Sequence, residues 1–139
     1  MPLKIELKPH ESIIVGGAII TNENSRSRFY IDGDVPILRE KFILREKDAD
    51  TPAKRVYYVV QQLYLTNGSK DFQKLFIEYT RDLQTAAPSL RPSLTPVVEA
   101  VLVSDYYAAI KSVRKLVEME AALFGETLNP VKLPPEEDE

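Results

Sequence analysis

Few residues of this chain are of the types that enzymes use for catalysis. The 139 residues include one histidine, His10, and no cysteine, which excludes a thiolate metal site and a cysteine nucleophile. His10 follows Pro9 in a predicted turn, and a single histidine in a loop is most often a solvated side chain. Gly16 and Gly17 lack the Lys-Ser/Thr pair and the following helix of a phosphate-binding loop. The sequence therefore predicts a protein that is not an enzyme and that uses no cofactor or metal.

The residues best suited to bind a ligand are basic side chains in the N-terminal third of the chain. Lysine and arginine contact phosphate oxygens, and arginine also pairs with guanine edges. The net charge is −3, but residues 1–47 carry +1 and residues 129–139 carry −3. The chain lacks the high positive charge of a general nucleic-acid binder, so RNA binding would have to be confined to a local patch of the surface. The candidate RNA-binding residues of this kind are Lys4, Lys8, Arg26, Arg28, Arg39 and Lys41.

The elements that would position these residues form a small antiparallel β module over residues 1–47. Leu3, Ile5 and Leu7 alternate with charged residues, a pattern typical of a half-buried strand. Tight turns separate four further short apolar segments, which predicts a compact sheet or a small barrel. Three of these predicted strands begin at Ser12, Ala18 and Arg28. The fourth runs over residues 37–44, with its end fraying into a helical turn.

The apolar period changes after residue 47, which predicts three to four α-helices over residues 48–128 and an α+β fold overall. Thr51-Pro52 and Thr95-Pro96 are typical helix starts, with threonine as N-cap and proline at the first helical position. Asn67-Gly68 ends the first predicted helix, Ser69 begins the second, and Gly125 ends the last. Residues 129–139, rich in proline and acidic side chains, are predicted to be a disordered tail.

Several tyrosines of the helical region could contact bases or a protein partner. Tyr64 and Tyr106 share the apolar helix faces, so they are expected in the core. Tyr57 and Tyr107 lie off those faces, so we expect them to be accessible and available for partner binding.

Five segments, taken in order, resemble the FlbT family of flagellar regulators over most of the chain, from Pro2 to about Phe124. They are LKIELKP from Leu3, the Gly16-Gly17-Ala18 turn, ILREK from Ile37, ADTPAKR from Ala49 and DYYAAIK from Asp105. The resemblance implies a cytoplasmic repressor that binds the 5′ untranslated region of flagellin mRNA and lowers its translation or lifetime. The alternative is a protein-interaction module or chaperone-like partner of flagellin or of another flagellar protein. No membrane association is expected, and a homodimer is left open.

The first forty residues also resemble the CsrA family of small RNA-binding β proteins. The matching segments are ESIIVG from Glu11, Ile19, RFYI from Arg28 and ILREK from Ile37. In that family the first strand and the arginine of the last motif line the RNA-contacting edge of a strand-swapped dimer. The corresponding positions here are Leu3, Lys4 and Arg39. Departures from the family pattern are a shorter hairpin after Ile20, His10 in place of glycine, and an acidic Glu6 in the first strand.

Overall fold

The structure, a computed structural model, describes residues 2–124, and it divides the chain into two compact units between Ile43 and Leu44. The first unit contains antiparallel β-strands and the second contains α-helices. The predicted α+β fold class is therefore confirmed. Each unit is described separately below.

The strands of the first unit form two small antiparallel sheets. Strand β1 pairs with β4, and β2 pairs with β3 on one side and β5 on the other. The strand bounds are Leu3–Leu7 (β1), Ser12–Val15 (β2), Ala18–Thr21 (β3), Ser27–Ile31 (β4) and Ile37–Arg39 (β5). The last strand is shorter than the predicted 37–44, because a 3₁₀-helix over Glu40–Phe42 follows it directly.

Alternation in β1 and β4 separates an apolar face from a polar one. Ile5 pairs with Phe29, and Leu3 pairs with Ile31, so these side chains share one face. Ile5, Leu7 and Ile13 are buried and form one hydrophobic cluster of this unit, against which half-buried apolar side chains pack. Those half-buried side chains are Val15, Phe29, Ile31 and Ile37.

One asparagine fixes the end of the β1–β4 pair. Asn22 Nδ2 donates to the carbonyl oxygens of Leu7 (3.2 Å), Lys8 (2.9 Å) and Ser25 (2.9 Å). Its Oδ1 accepts a hydrogen bond from Ser27 Oγ at 2.8 Å. Because one side chain satisfies three carbonyls, the chain reversal that precedes β4 is held in a defined conformation.

The second unit contains four α-helices among the described residues: α1 Pro52–Thr66, α2 Lys70–Ala86, α3 Arg91–Leu102 and α4 Tyr106–Leu123. Helix α1 packs against α2 and α4, and α3 packs against α4. Thr51 caps α1 as predicted, with its Oγ1 accepting from Lys54 N at 3.2 Å. Asn67 ends α1 in the left-handed conformation, with φ 55°. None of these described helices is long and apolar enough to cross a membrane.

The start of α3 differs from the prediction. The helix begins at Arg91, with Pro92 in its first turn, and Pro96 lies inside it. Pro92 has the φ angle that a first helical turn needs, and its missing N–H would have no helical partner there. Thr95 is therefore helical and is no cap; its Oγ1 donates to Arg91 O at 3.1 Å. The predicted stop at Gly125 and the predicted tail at 129–139 lie outside the described residues.

A buried carboxylate joins α4 to the first turn of α1. Glu120 is 2% exposed. Its Oε1 accepts from Thr51 Oγ1 at 2.5 Å, and its Oε2 accepts from Ala53 N at 2.9 Å. Ala53 N is one of the amides that an α-helix leaves without an internal partner, and a negative charge at this end is favoured by the helix dipole. Glu120 thus caps a helix that lies more than sixty residues earlier in the chain.

Candidate functional site

The polar side of the β1–β4 pair brings together most of the predicted RNA-binding cations. In the strand register Lys4 lies opposite Tyr30, and Glu6 lies opposite Arg28. Lys8 directly follows β1 and Arg26 directly precedes β4, so both extend this face at the end held by Asn22. All of these residues are exposed. We call them the basic face: Lys4, Glu6, Lys8, Arg26, Arg28 and Tyr30.

Four cations and one acid give the basic face a net charge of +3 (4 − 1), although the whole chain carries −3. Glu6 Oε2 lies 3.4 Å from Arg28 Nε, and the two side chains are 48% and 66% exposed. An exposed ion pair of this kind contributes only about 0–1 kcal/mol. A phosphate oxygen can therefore compete with Glu6 for the guanidinium of Arg28.

Tyr30 is a candidate residue that the sequence reasoning missed. Its side chain is 64% exposed, and its strand partner is Lys4. An exposed tyrosine beside a cation offers a surface on which an unpaired base can stack. The alternation in Ser27–Ile31, which places Arg28 and Tyr30 on one face, was the signal that could have found it.

Three of the predicted RNA-binding residues are not part of the basic face. Leu3 lies on the apolar side of β1, opposite Ile31. Arg39 belongs to the other sheet, where it pairs with Ile13, so it is not part of the strand pair that carries Lys4. Lys41 lies in the 3₁₀-helix after β5, with its Nζ 5.3 Å from the ring centre of Phe42. RNA contacts by Leu3, Arg39 and Lys41 stay predictions.

The two predicted partner-binding tyrosines differ in exposure. Tyr57 is fully buried, so the expectation that it is accessible is wrong. Burial raises the pKa of Tyr57 well above its usual value, and the nearby charge of Arg114 lowers it by a smaller amount. Tyr107 is 38% exposed, as expected. Its ring centre lies 5.8 Å from that of Tyr64 and 5.2 Å from Lys111 Nζ.

The other two tyrosines were expected in the core. Tyr106 is buried, as predicted, whereas Tyr64 is only half-buried. Within residues 2–124, no group of histidine and acidic side chains is arranged to hold a metal ion.

Comparison with known proteins gives one consistent result. The family model described as "Flagellar protein FlbT" matches residues 3–124. A Bradyrhizobium diazoefficiens protein named "Probable flagellum biosynthesis repressor protein FlbT 1" is 45% identical over 127 residues, covering 91% of this chain and 87% of the relative. A similarly named Rhodopseudomonas palustris protein is 42% identical over 125 residues, covering 90% of this chain and 99% of the relative.

A more distant relative from Caulobacter vibrioides is named "Flagellum biosynthesis repressor protein FlbT" and is 30% identical over 128 residues. The alignment covers 90% of this chain and 91% of that relative. No solved structure matches the chain. These comparisons do not confirm the resemblance of the first forty residues to the CsrA family, which stays a prediction. The family model spans nearly all of the described residues, and the chain therefore belongs to the FlbT family of flagellar proteins.

Proposed function

We propose that this protein is a non-enzymatic repressor of flagellum biosynthesis that binds the 5′ untranslated region of flagellin mRNA. The basic face is the observation that carries the proposal, because it concentrates positive charge and an exposed aromatic ring on one β ribbon. The relatives named flagellum biosynthesis repressors support the regulatory part of the proposal. The RNA part rests on the chemistry of the face.

The mechanism is occlusion of a single-stranded segment of the leader. Lys4, Lys8, Arg26 and Arg28 contact phosphates, which positions the RNA along the ribbon. An unpaired base stacks on Tyr30, which a base inside a regular RNA helix cannot do. Ribosome access then falls while the protein is bound, and any decay of the transcript is carried out by another protein.

A binding series with single variants tests this proposal. Tyr30→Ala is expected to weaken binding to a fluorescently labelled flagellin leader by about 1–3 kcal/mol, the usual contribution of one stacked base. Arg28→Ala is expected to weaken it as well. Arg39→Ala is the matched comparison, since it removes the same charge from the other sheet. Fluorescence anisotropy gives the affinities, and unchanged binding by both Tyr30→Ala and Arg28→Ala would remove the basic face from the site.

If Arg39→Ala causes a loss as large as Arg28→Ala, the RNA site includes the second sheet. That result would favour the strand-swapped arrangement implied by the CsrA resemblance.

Salt dependence tests the number of phosphate contacts. Each neutralised phosphate on a single strand contributes a slope of about −0.7 in log affinity against log salt. The four cations of the basic face therefore predict a slope no steeper than about −3. A slope equivalent to eight or more phosphates would show that a much larger surface binds the RNA.

A second candidate function is a protein-interaction module, favoured by the apolar end of α3. Leu102 is 77% exposed, and Val103 beside it is also exposed. Leu102, with Ile77 and Val101, borders a groove of about 420 Å³ between α2 and α3. Helix-in-groove binding uses such surfaces. Purified flagellin that co-elutes with the wild-type protein but not with Leu102→Asp would support this function, and co-elution with both would contradict this surface.

A further inference from the structure

A pocket in the helical unit is lined by aromatic and charged side chains that have no part in the proposed function. It has a volume of about 400 Å³ and lies between the short 3₁₀-helix Glu46–Asp48, α1 and α2. This volume falls within the range of small-molecule sites, about 300–1,000 Å³. Helix α2 contributes Phe72 and Tyr79, which share one face at seven-residue spacing, and α1 contributes Tyr58.

Two opposite charges line the same pocket. Glu46 comes from the 3₁₀-helix and Arg55 from α1, and both are exposed. Among the described residues, no hydrogen bond or ion pair engages the Glu46 carboxylate or the Arg55 guanidinium. Partial burial, together with the charge of Glu46, raises the pKa of Tyr58 above its usual value, so its hydroxyl stays protonated at neutral pH. The pocket thus holds an acceptor and a charged donor that are both available to a ligand.

These groups restrict the chemistry of a ligand. Half-buried aromatic rings favour a flat, apolar ring system. An ionised carboxylate only accepts hydrogen bonds, so Glu46 needs a ligand edge that carries donors. Arg55 is suited to a phosphate, which it can contact with two parallel hydrogen bonds. A basic side chain would be repelled by Arg55, and a simple anion would be repelled by Glu46.

Among nucleotide bases, guanine alone presents two adjacent donors, N1–H and the exocyclic amine, on the edge that an acceptor pair can bind. We propose that this pocket binds a guanosine 5′-phosphate group, supplied either by a free guanine nucleotide or by one nucleotide of an RNA chain. Glu46 accepts from the base edge, the aromatic rings contact the base, and Arg55 contacts the phosphate. The proposal does not depend on the basic face, because none of its residues line the pocket.

Calorimetric titration of the full chain with guanosine, inosine and adenosine 5′-monophosphates tests the base contact. Inosine monophosphate lacks only the exocyclic amine, so it loses one of the two hydrogen bonds to Glu46. It is expected to bind more weakly than guanosine monophosphate by about ten- to 150-fold, the contribution of one hydrogen bond to a charged group. Glu46→Gln is expected to bring the two affinities close together. Glu78→Gln, an exposed change on α2 outside the pocket, should leave the preference intact.

The phosphate contact has its own test. Arg55→Ala should weaken binding of guanosine monophosphate but leave binding of unphosphorylated guanosine unchanged. Arg81→Ala, at an exposed position of α2 outside the pocket, should change neither. All four substitutions are at exposed positions, so the variants are expected to fold. The absence of saturable binding of guanosine monophosphate, or equal binding by wild type, Glu46→Gln and Arg55→Ala, would overturn the proposal.

Competition identifies the source of the nucleotide. If guanosine monophosphate displaces labelled leader RNA from the wild-type protein, the pocket holds a guanosine of the RNA. If it binds without displacing RNA, the ligand is a free nucleotide. Arg28→Ala separates the two proposals, because it should weaken RNA binding without changing calorimetric binding of the nucleotide. Loss of nucleotide binding in Glu46→Gln, with leader affinity unchanged, would equally show that the sites are independent.

Discussion

Replacing Glu120 by alanine should destabilise the helical unit more than any exposed substitution in α4. The carboxylate is 2% exposed and accepts hydrogen bonds from Thr51 Oγ1 (2.5 Å) and Ala53 N (2.9 Å). Hydrogen bonds to a charged group contribute about 1.5–3 kcal/mol each. Removing the acceptor also leaves the buried Ala53 amide without a partner. We therefore expect Glu120→Ala to lower the free energy of unfolding by about 3–5 kcal/mol.

Urea denaturation followed by circular dichroism at a helix-sensitive wavelength measures this change. Glu118→Ala is the matched control, because it removes a carboxylate from an exposed position of the same helix and should cost less than about 0.5 kcal/mol. Glu120→Gln keeps the shape but has only one acceptor oxygen, so about half of the loss is expected.

A double-mutant cycle with Thr51→Val isolates the contact between the two side chains. Thr51 also caps α1 through Lys54 N, which is a separate contribution of about 1 kcal/mol. For residues in direct contact, the coupling should lie at about 0.5–3 kcal/mol. A cost for Glu120→Ala below about 1 kcal/mol would refute the view that Glu120 caps α1. Additive effects in the cycle would refute the contact between the side chains of Glu120 and Thr51.

Tyr57→Ala should cost about 3–5 kcal/mol in a urea melt, as expected for a buried aromatic residue, whereas Tyr107→Ala should cost only about 1 kcal/mol, the contribution of its ring contacts. Equal losses of stability for the two substitutions would contradict the difference in burial between Tyr57 and Tyr107. Because its folded-state pKa is raised, Tyr57 contributes stability that is complete below pH of about 10 and is lost as the pH rises towards the folded-state value. In urea melts between neutral and strongly alkaline pH, the free energy of unfolding should therefore fall less steeply in Tyr57→Phe than in the wild type. Identical slopes would contradict a raised pKa of Tyr57. Gly68→Ala should lower the free energy of unfolding by about 1–3 kcal/mol, since φ is +86° and the new Cβ would lie 2.5 Å from the Tyr106 hydroxyl. An unchanged free energy of unfolding would show that this turn can shift. Gly17→Ala, with open space around its Cβ, is the control for that change.

The elements that the sequence predicted well are those with local causes. Alternation in Leu3–Leu7 places the strand, and the Thr51-Pro52 and Asn67-Gly68 pairs place both ends of α1. Each of these signals depends on neighbouring residues and on the conformations they allow. The local sequence alone was therefore sufficient to locate this strand and the ends of α1.

The features that the sequence did not predict depend on contacts between distant segments. Helix α1 packs against both α2 and α4, so it buries a wider arc than one apolar stripe, and Tyr57 lies in that arc. Which strand pairs with β5 is likewise set by tertiary structure, and it separates Arg39 from Lys4. The basic face was only partly predicted, since its cations were named but their grouping with Tyr30 requires the β1–β4 register.

The strand pairing of the first unit also sets an order of events during folding. Hairpin β2–β3 pairs residues at most nine positions apart, from Ser12 to Thr21, whereas Leu3 and Ile31 are 28 positions apart. Loops with short sequence separation close faster and at lower entropic cost. We therefore expect the β2–β3 hairpin to form first on the nascent chain. Strand β1 can pair only after β4 has left the ribosome. Until then the buried side of β1 is exposed to other chains, which makes this interval the one in which a folding assistant would be of most use.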